Sequence, residues 1–178
     1  VKTALLDPTH DEAKVVGSAC SVRRIRPIVR VSGALRKARK EFGGAHLITG
    51  GLGGLGLRTA SLAVQHGATA LVLASRSGRV ARDGQGLGDQ LKAIQRATPF
   101  VHLAAADSSD GSDVMAMLFA ARSFPGQTVQ GIHHAAGVLQ DKLVRSMLTA
   151  DLNWTFAPKA VSASRLHSGS AAEPLNAC

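Results

Sequence analysis

Tyrosine is missing from this chain, and aromatic residues make up only 3% of its 178 positions. Stacking platforms for single-stranded nucleic acid are therefore scarce, which disfavours that class of partner. Cysteine is almost absent too: Cys20 and Cys178 stand far apart, without metal-ligand spacing or the density of a disulfide framework. They read as reduced bystanders. No run approaches the roughly 18 apolar residues of a membrane span, and no charged-then-apolar leader opens the chain. These absences point to a soluble cytoplasmic protein with no membrane partner. The spacing around His133 and His134 offers no zinc ligand set, so no metal is expected.

What is present begins with enough apolar residue, 45%, for a sizeable core in one domain or one domain plus part of another. The net charge of +9 is unevenly placed. Residues 1–42 hold ten Lys/Arg against four Asp/Glu, which leaves +6 in that segment, while the remaining eleven against eight give only +3. Arg23-Arg24-Ile25-Arg26 and Arg36-Lys37-Ala38-Arg39-Lys40 fit either a nucleic-acid-binding arm or a solvated basic linker, and the linker is the stronger reading. Residues 1–43 are otherwise weakly patterned. Val22 to Val31 alternates around Pro27 as an edge strand does, and Ser32 to Lys40 has the pattern of a short basic helix. The segment reads as a linker or the tail of an upstream structural subdomain.

The chain is organised around Ala45-His46-Leu47-Ile48-Thr49-Gly50-Gly51-Leu52-Gly53-Gly54-Leu55-Gly56-Leu57. A short apolar run suits a buried parallel strand, glycines break it, and a helical pattern follows from Leu55 to Gln65, stopped by Gly67. Strand, glycine turn and helix in that order aim free backbone N–H groups and the positive end of the helix dipole at one spot, a ready site for pyrophosphate. The run can be read as G-x-G-x-x-G (Gly51, Gly53, Gly56) or as T-G-x-x-x-G-x-G (Thr49, Gly50, Gly54, Gly56). A plain structural turn is the alternative.

Ala70 to Ala74 reads as a second buried strand ending at Ser75-Arg76, followed by a glycine- and arginine-rich loop to Gly88. Leu87, Leu91 and Ile94 mark a helix that stops before Thr98-Pro99, and Phe100 to Ala105 is a third strand ending at Asp107. Asp110 to Ser123 is a helix with Asp110 as its N-cap, and Val129 to His133 is a fourth strand leading into His134-Ala135-Ala136-Gly137. A short helix around Leu143 to Leu148 precedes a longer one from Asp151 to His167, in which Pro158 predicts a kink or a helix start and Trp154 reads as core. This alternation predicts an α/β fold with a doubly wound parallel sheet, strand order 3-2-1-4, incomplete after the fourth or fifth strand.

In such sheets an acid about 20 positions past the glycines holds the ribose 2′-hydroxyl of NAD, whereas Arg suits the 2′-phosphate of NADP. Here Ser75-Arg76 stands there instead of an acid, so NADPH is the expected coenzyme, with Arg76 gripping the phosphate through charge-assisted hydrogen bonds. A surface charge is the alternative for Arg76. Asp107 fits either a bond to the adenine amino group or a helix cap.

Thr49-Gly50-Gly51-Leu52-Gly53-Gly54-Leu55-Gly56, Ser75-Arg76, His134-Ala135-Ala136-Gly137-Val138-Leu139 and Ala157-Pro158-Lys159-Ala160-Val161 together resemble the ketoreductase domain of type I polyketide synthases, in the short-chain dehydrogenase/reductase superfamily. The resemblance covers about residues 44–167 and implies a domain from 44 to 178. Type I fatty acid synthases carry close relatives. The resemblance implies NADPH-dependent reduction of a β-ketoacyl thioester to β-hydroxyacyl. The implied partners are an acyl carrier protein bearing substrate on phosphopantetheine, and the other synthase domains. It implies coenzyme contacts from Thr49, Gly50, Leu52, Gly53, Gly54, Leu55, Gly56, Ser75, Arg76, Asp107, Ala135, Ala136 and Gly137.

In that family a Tyr hydroxyl protonates the developing alkoxide, a Ser bonds it, and a Lys lowers the Tyr pKa, since a nearby cation stabilises phenolate. The Lys position is matched by Lys159. Ala160 and Ser162 depart from the usual Lys-Val-x-Gly, Ser162 replacing a glycine that allows close packing. Asp141 matches the last acid of a Leu-Asp-Asp motif tied to one alcohol configuration, and Gln140 replaces the first, so no configuration is assigned. The family's Ser and Tyr belong a couple of dozen residues or more beyond Lys159, where this chain has reached Cys178. Ser168 and Ser170 lie too near the helix end to serve, and Glu173 to Cys178 reads as a fifth strand beginning or an unrelated tail. The expectation is a truncated ketoreductase fragment, inactive alone. A stand-alone short-chain reductase and a non-catalytic nucleotide-binding module are the rival readings.

Overall fold

The computed structural model describes residues 13–16, 19–22, 43–81 and 85–175. The chain forms two units, Val1–Lys37 and Ala38–Cys178. In the first, β1 (Ala13–Val16) and β2 (Ala19–Val22) pair antiparallel, with Ala13 opposite Val22 and Val16 opposite Ala19. Sequence patterning did not anticipate this hairpin, although Gly-Ser at positions 17 and 18 is a recognised hairpin-turn pair. The edge strand expected beyond Val22 and the helix expected over Ser32 to Lys40 lie outside the described residues.

The second unit holds four parallel strands: β3 (Ala45–Thr49), β4 (Ala70–Ser75), β5 (Phe100–Ala105) and β6 (Val129–His134). Their spatial order is β5-β4-β3-β6, the expected 3-2-1-4 arrangement counted within this sheet. Each is joined to the next through a crossover helix: α1 (Gly54–Gln65), α2 (Leu87–Ala97) and α3 (Gly111–Arg122). Period-two alternation sends neighbouring side chains of one strand to opposite faces. Leu47, Val72 and Ala74 join Val114, Met117 and Leu118 of α3 on one face. Ile48, Leu71 and Leu73 join Leu57, Ala60 and Ala63 of α1 on the other. The domain is therefore a three-layer α/β/α sandwich with the central strands buried on both sides.

Asp110 caps α3 as expected, accepting hydrogen bonds from the Ser112 and Asp113 amides at 2.8 and 3.2 Å. The Ser112 hydroxyl also donates to it and is the largest cause of its lowered pKa. The short helix expected at Leu143 to Leu148 is a single 3-10 turn, Val144–Ser146. The long helix after it is broken into α4 (Thr149–Phe156) and α5 (Ser162–Gly169) by a wide π turn over Ala157–Val161. Pro158 lies in that turn; it has no N–H for the helical ladder, and its ring crowds the preceding turn. Ser162, fully buried, donates its hydroxyl to the Ala157 carbonyl at 2.9 Å and accepts one from Ser108 at 3.0 Å. The serine that replaces a glycine thus becomes a polar pin within the turn. Residues 171–175 form no strand; Glu173 pairs with Arg122 at 2.5 Å instead. No helix among the described residues is long and apolar enough to cross a membrane.

The β3–β6 seam carries a histidine pair. His46 Nδ1 and His133 Nε2 lie 3.1 Å apart with the rings stacked, and Gly131 leaves the room that the His46 ring occupies. Burial holds His133 below the ordinary imidazole value of 6.5. The unfolded chain then takes up the proton more readily than the folded one, so stability present above pH 6.5 is lost as pH falls. Thermal melts between pH 7.5 and 5.5 are expected to show a falling midpoint, and His133→Gln should flatten that slope. An unchanged slope in the variant would place the proton uptake elsewhere.

Candidate functional site

The site is built at the carboxyl edge of the sheet, where β3, β4, β5 and β6 all end. Gly50 follows β3 with φ +66°, a conformation that L side chains resist. Gly51 then donates its N–H to Ala74 of β4 at 2.9 Å, and Gly53 donates back to Gly50 at 3.1 Å. A side chain on Gly56 would lie within 2.6 Å of Gly51 Cα and closer still to the Gly50 carbonyl oxygen, so its absence is what lets α1 seat on the turn. The first amides of α1 have no intrahelical acceptor. No acidic residue occupies its first turn and no side chain caps it, so the helix's own N-terminal residues do not neutralise its positive end.

Gly53, the N-cap of α1, lines a cleft of about 420 Å³, so the start of the helix stands beside it. Its floor is Thr49, Gly50 and Gly53; Ala74, Ser75 and Arg76 come from the tip of β4, Ala106, Asp107 and Ser108 from that of β5. Ala135, Ala136, Gly137 and Val138 follow β6, and Pro158 comes from the wide turn. Nine of the sequence-derived residues therefore meet in one cleft: Thr49, Gly50, Gly53, Ser75, Arg76, Asp107, Ala135, Ala136 and Gly137. Leu52 and Gly56 are instead buried in the packing beneath it, and Leu55 is exposed on α1. Gly54 faces Leu87 of α2, whose Cδ2 would lie 3.9 Å from an added Cβ.

Arg76 sets its guanidinium 5.3 Å from the centroid of the Trp154 ring, a cation–π contact. Trp154 is thus half-exposed on α4 rather than core. Asp107 accepts from the Ser109 amide at 2.8 Å and the Ser109 hydroxyl at 2.7 Å, while its own N–H donates to Asp113 at 2.7 Å. The Ser109 hydroxyl first, then its amide, and more weakly the Arg76 charge hold the Asp107 carboxyl below the usual carboxylate range. The cap of α3 is Asp110, so Asp107 shapes the turn before the helix and presents a carboxylate to the cleft.

His134 bonds Thr49 Oγ1 at 2.6 Å through Nδ1 and meets the Lys159 carbonyl at 3.2 Å through Nε2. It ties the wide turn to the β3 tip and is not part of the cleft wall; His133 turns to His46. Lys159 is exposed, and its side chain runs beside Gly137, whose added Cβ would lie 3.4 Å from Lys159 Cε. Among the described residues no group of three His, Cys, Asp or Glu could hold a metal. The loop before α4 is fixed by Asp151, which accepts from Lys142 at 2.7 Å and from the Leu148 amide at 3.0 Å. The Lys142 bond is the main cause of its lowered pKa. Sequence reasoning missed Ser77, Arg79, Ser108 and Pro158 as cleft residues. Their signal was only position, beside a strand tip or next to Lys159.

A family model described as the KR domain matches residues 44–178. A 6-methylsalicylic acid synthase of Arthrobotrys oligospora is 34% identical over 168 residues, 88% of this chain and 9% of that protein. The chain thus spans less than a tenth of that relative. Among solved structures, an A-type ketoreductase from a modular polyketide synthase aligns with a TM-score of 0.68 and 29% identity, covering 92% of this chain and 34% of the other. A short-chain dehydrogenase/reductase of Burkholderia phymatum in complex with NAD aligns at 0.62 and 25%, covering 75% and 45%.

The two glycines separate by role. Gly56→Ala drives a methyl into backbone and is expected to cost about 1–3 kcal/mol of stability or more. Gly53→Ala meets only the Gly50 carbonyl oxygen, at 3.4 Å, and should leave the thermal midpoint near wild type. Calorimetric melts of both variants check this; equal destabilisation would contradict it.

Proposed function

The chain belongs to the KR domain family, and from that premise we propose that its cleft holds NADPH and serves reduction of a β-ketoacyl thioester to the β-hydroxyacyl product. The observation that carries the reading is the meeting of the glycine turn at the uncapped N-terminus of α1 (Gly50 and Gly53) with Arg76 on one cleft. The residues present fit a dinucleotide. Gly53 leaves the floor open where a Cβ would stand, the N-terminus and dipole of α1 suit a pyrophosphate, and Arg76 with Ser75 suits a 2′-phosphate. Asp107 offers the adenine amino group an acceptor, since both hydrogen bonds from Ser109 go to its Oδ1 and leave Oδ2 to the cleft. The nicotinamide end would lie toward Ala135, Ala136 and Gly137, near Pro158 and the Lys159 side chain.

When bound, the coenzyme supplies the hydride for carbonyl reduction. The chain's own part is to orient it and exclude water, with the Lys159 ammonium holding positive charge where a proton donor would be acidified. The sequence has no tyrosine to be that donor. The substrate is carried by an acyl carrier protein within a larger cytoplasmic synthase, and the 178-residue chain by itself binds coenzyme without turning over.

Two measurements test this. The isolated chain with NADPH and a β-ketoacyl thioester mimic should show no consumption of NADPH above background; robust turnover would mean another residue serves as the acid. Arg76→Glu should abolish any preference for NADPH over NADH in equilibrium binding, and an unchanged preference would refute the phosphate role.

A further inference from the structure

The loop after β4 brings a second cation to the cleft. Gly78 takes φ +64°, and its N–H donates to the Ser75 carbonyl at 3.1 Å, reversing the chain. An added Cβ there would meet Ala105 Cβ at 3.0 Å, so the turn tucks against the end of β5. Arg79 follows at once. Its amide donates to Ser77 Oγ at 3.3 Å, and its carbonyl accepts from the Ser75 and Ser77 hydroxyls at 3.4 Å each. Two residues later the Ala81 amide donates to the Leu52 carbonyl at 3.0 Å, which anchors the far end of the loop to the glycine turn. Arg79 is therefore presented to the cleft by a segment held at both ends.

Among the described residues that line the cleft, only Arg76, Arg79 and Asp107 carry formal charge. The Arg76 charge is felt at the Asp107 carboxylate, and these two opposite charges by themselves leave that end of the cleft close to neutral. A phosphate dianion placed there would meet Asp107's repulsion as well as Arg76's attraction. Arg79 tips the balance to net positive. We propose that Arg79 is a specificity-determining residue, a second cation that makes this end of the cleft select a 2′-phosphate over a 2′-hydroxyl. Trp154 covers one face of the Arg76 guanidinium, leaving its N–H edge for one side of the phosphate while Arg79 serves the other. The inference rests on the coenzyme reading above and deepens it.

The test uses the 178-residue chain and two ligands that differ by the phosphate in question, 2′,5′-ADP and 5′-AMP, titrated by calorimetry. The single tryptophan, in contact with Arg76, gives a parallel fluorescence readout. Wild type should favour 2′,5′-ADP. Arg79→Ala should cut that preference about tenfold, the loss of one charge-assisted contact, and leave 5′-AMP affinity within about twofold. Arg79→Glu should cut the preference further, and Arg79→Lys should restore most of it. A wild-type preference retained in both Arg79→Ala and Arg79→Glu overturns the role of Arg79 and leaves Arg76 standing. Equal weakening of both ligands overturns the specificity claim. No preference in wild type overturns both this inference and the NADPH reading.

Discussion

The constraint on which the site depends is a contact between two stretches of backbone. α1 can start where it does only because Gly56 brings no side chain against Gly50 and Gly51. That approach fixes the helix axis over the tip of β3 and points its first amides outward past the turn. The Gly51 bond to Ala74 then ties the same turn to β4, the strand that delivers Ser75 and Arg76. One close approach therefore sets both the amide cradle and its distance from the guanidinium. A methyl at Gly56 would move the helix, and the cradle would leave with it.

Around this fixed centre the electrostatics are arranged by strand tips. β4 supplies the cation, β5 an anion kept ionised by Ser109, and β6 a small-residue wall. The wide turn at Pro158 has a separate purpose in the architecture. It bends the helix so that Pro158 reaches the cleft and Lys159 lies along Gly137, and it spends its irregular carbonyls on Ser162 and His134. A wide turn at Lys159 and a cation–π contact from α4 to Arg76 mean that α4 and the turn after it touch both ends of the cleft.

The elements that were legible in sequence are those whose periodicity is dictated by burial. β5 was bounded to the residue, and α1, α2, α3, β4 and β6 to within one or two, because their apolar faces leave little choice of register. The strand order followed from the same alternation. What escaped was set by tertiary contact. Trp154 reads as core because it is large and apolar, yet a guanidinium from a distant strand tip gives it a reason to stay half-exposed. Leu52, Gly54, Leu55 and Gly56 sit inside the glycine motif, but the motif cannot say which of its members face the ligand and which face the core. Pro158 predicts a kink or a helix start in the long helix, and the interruption is there, but the residue alone does not specify a π turn. Arg79 carried no motif at all, and only the fold of the loop brings it to the cleft.

The proposed function requires the N-terminus of α1 and Arg76 to address one bound anion-bearing ligand. Backbone amide chemical-shift mapping of the 178-residue chain titrated with NADPH addresses this most directly. The predicted result is a contiguous set of shifts at the Gly54 and Leu55 amides and over Ser75 to Arg79. Shifts confined to the β1–β2 hairpin, or to the loop between Gly137 and Leu148, would contradict it.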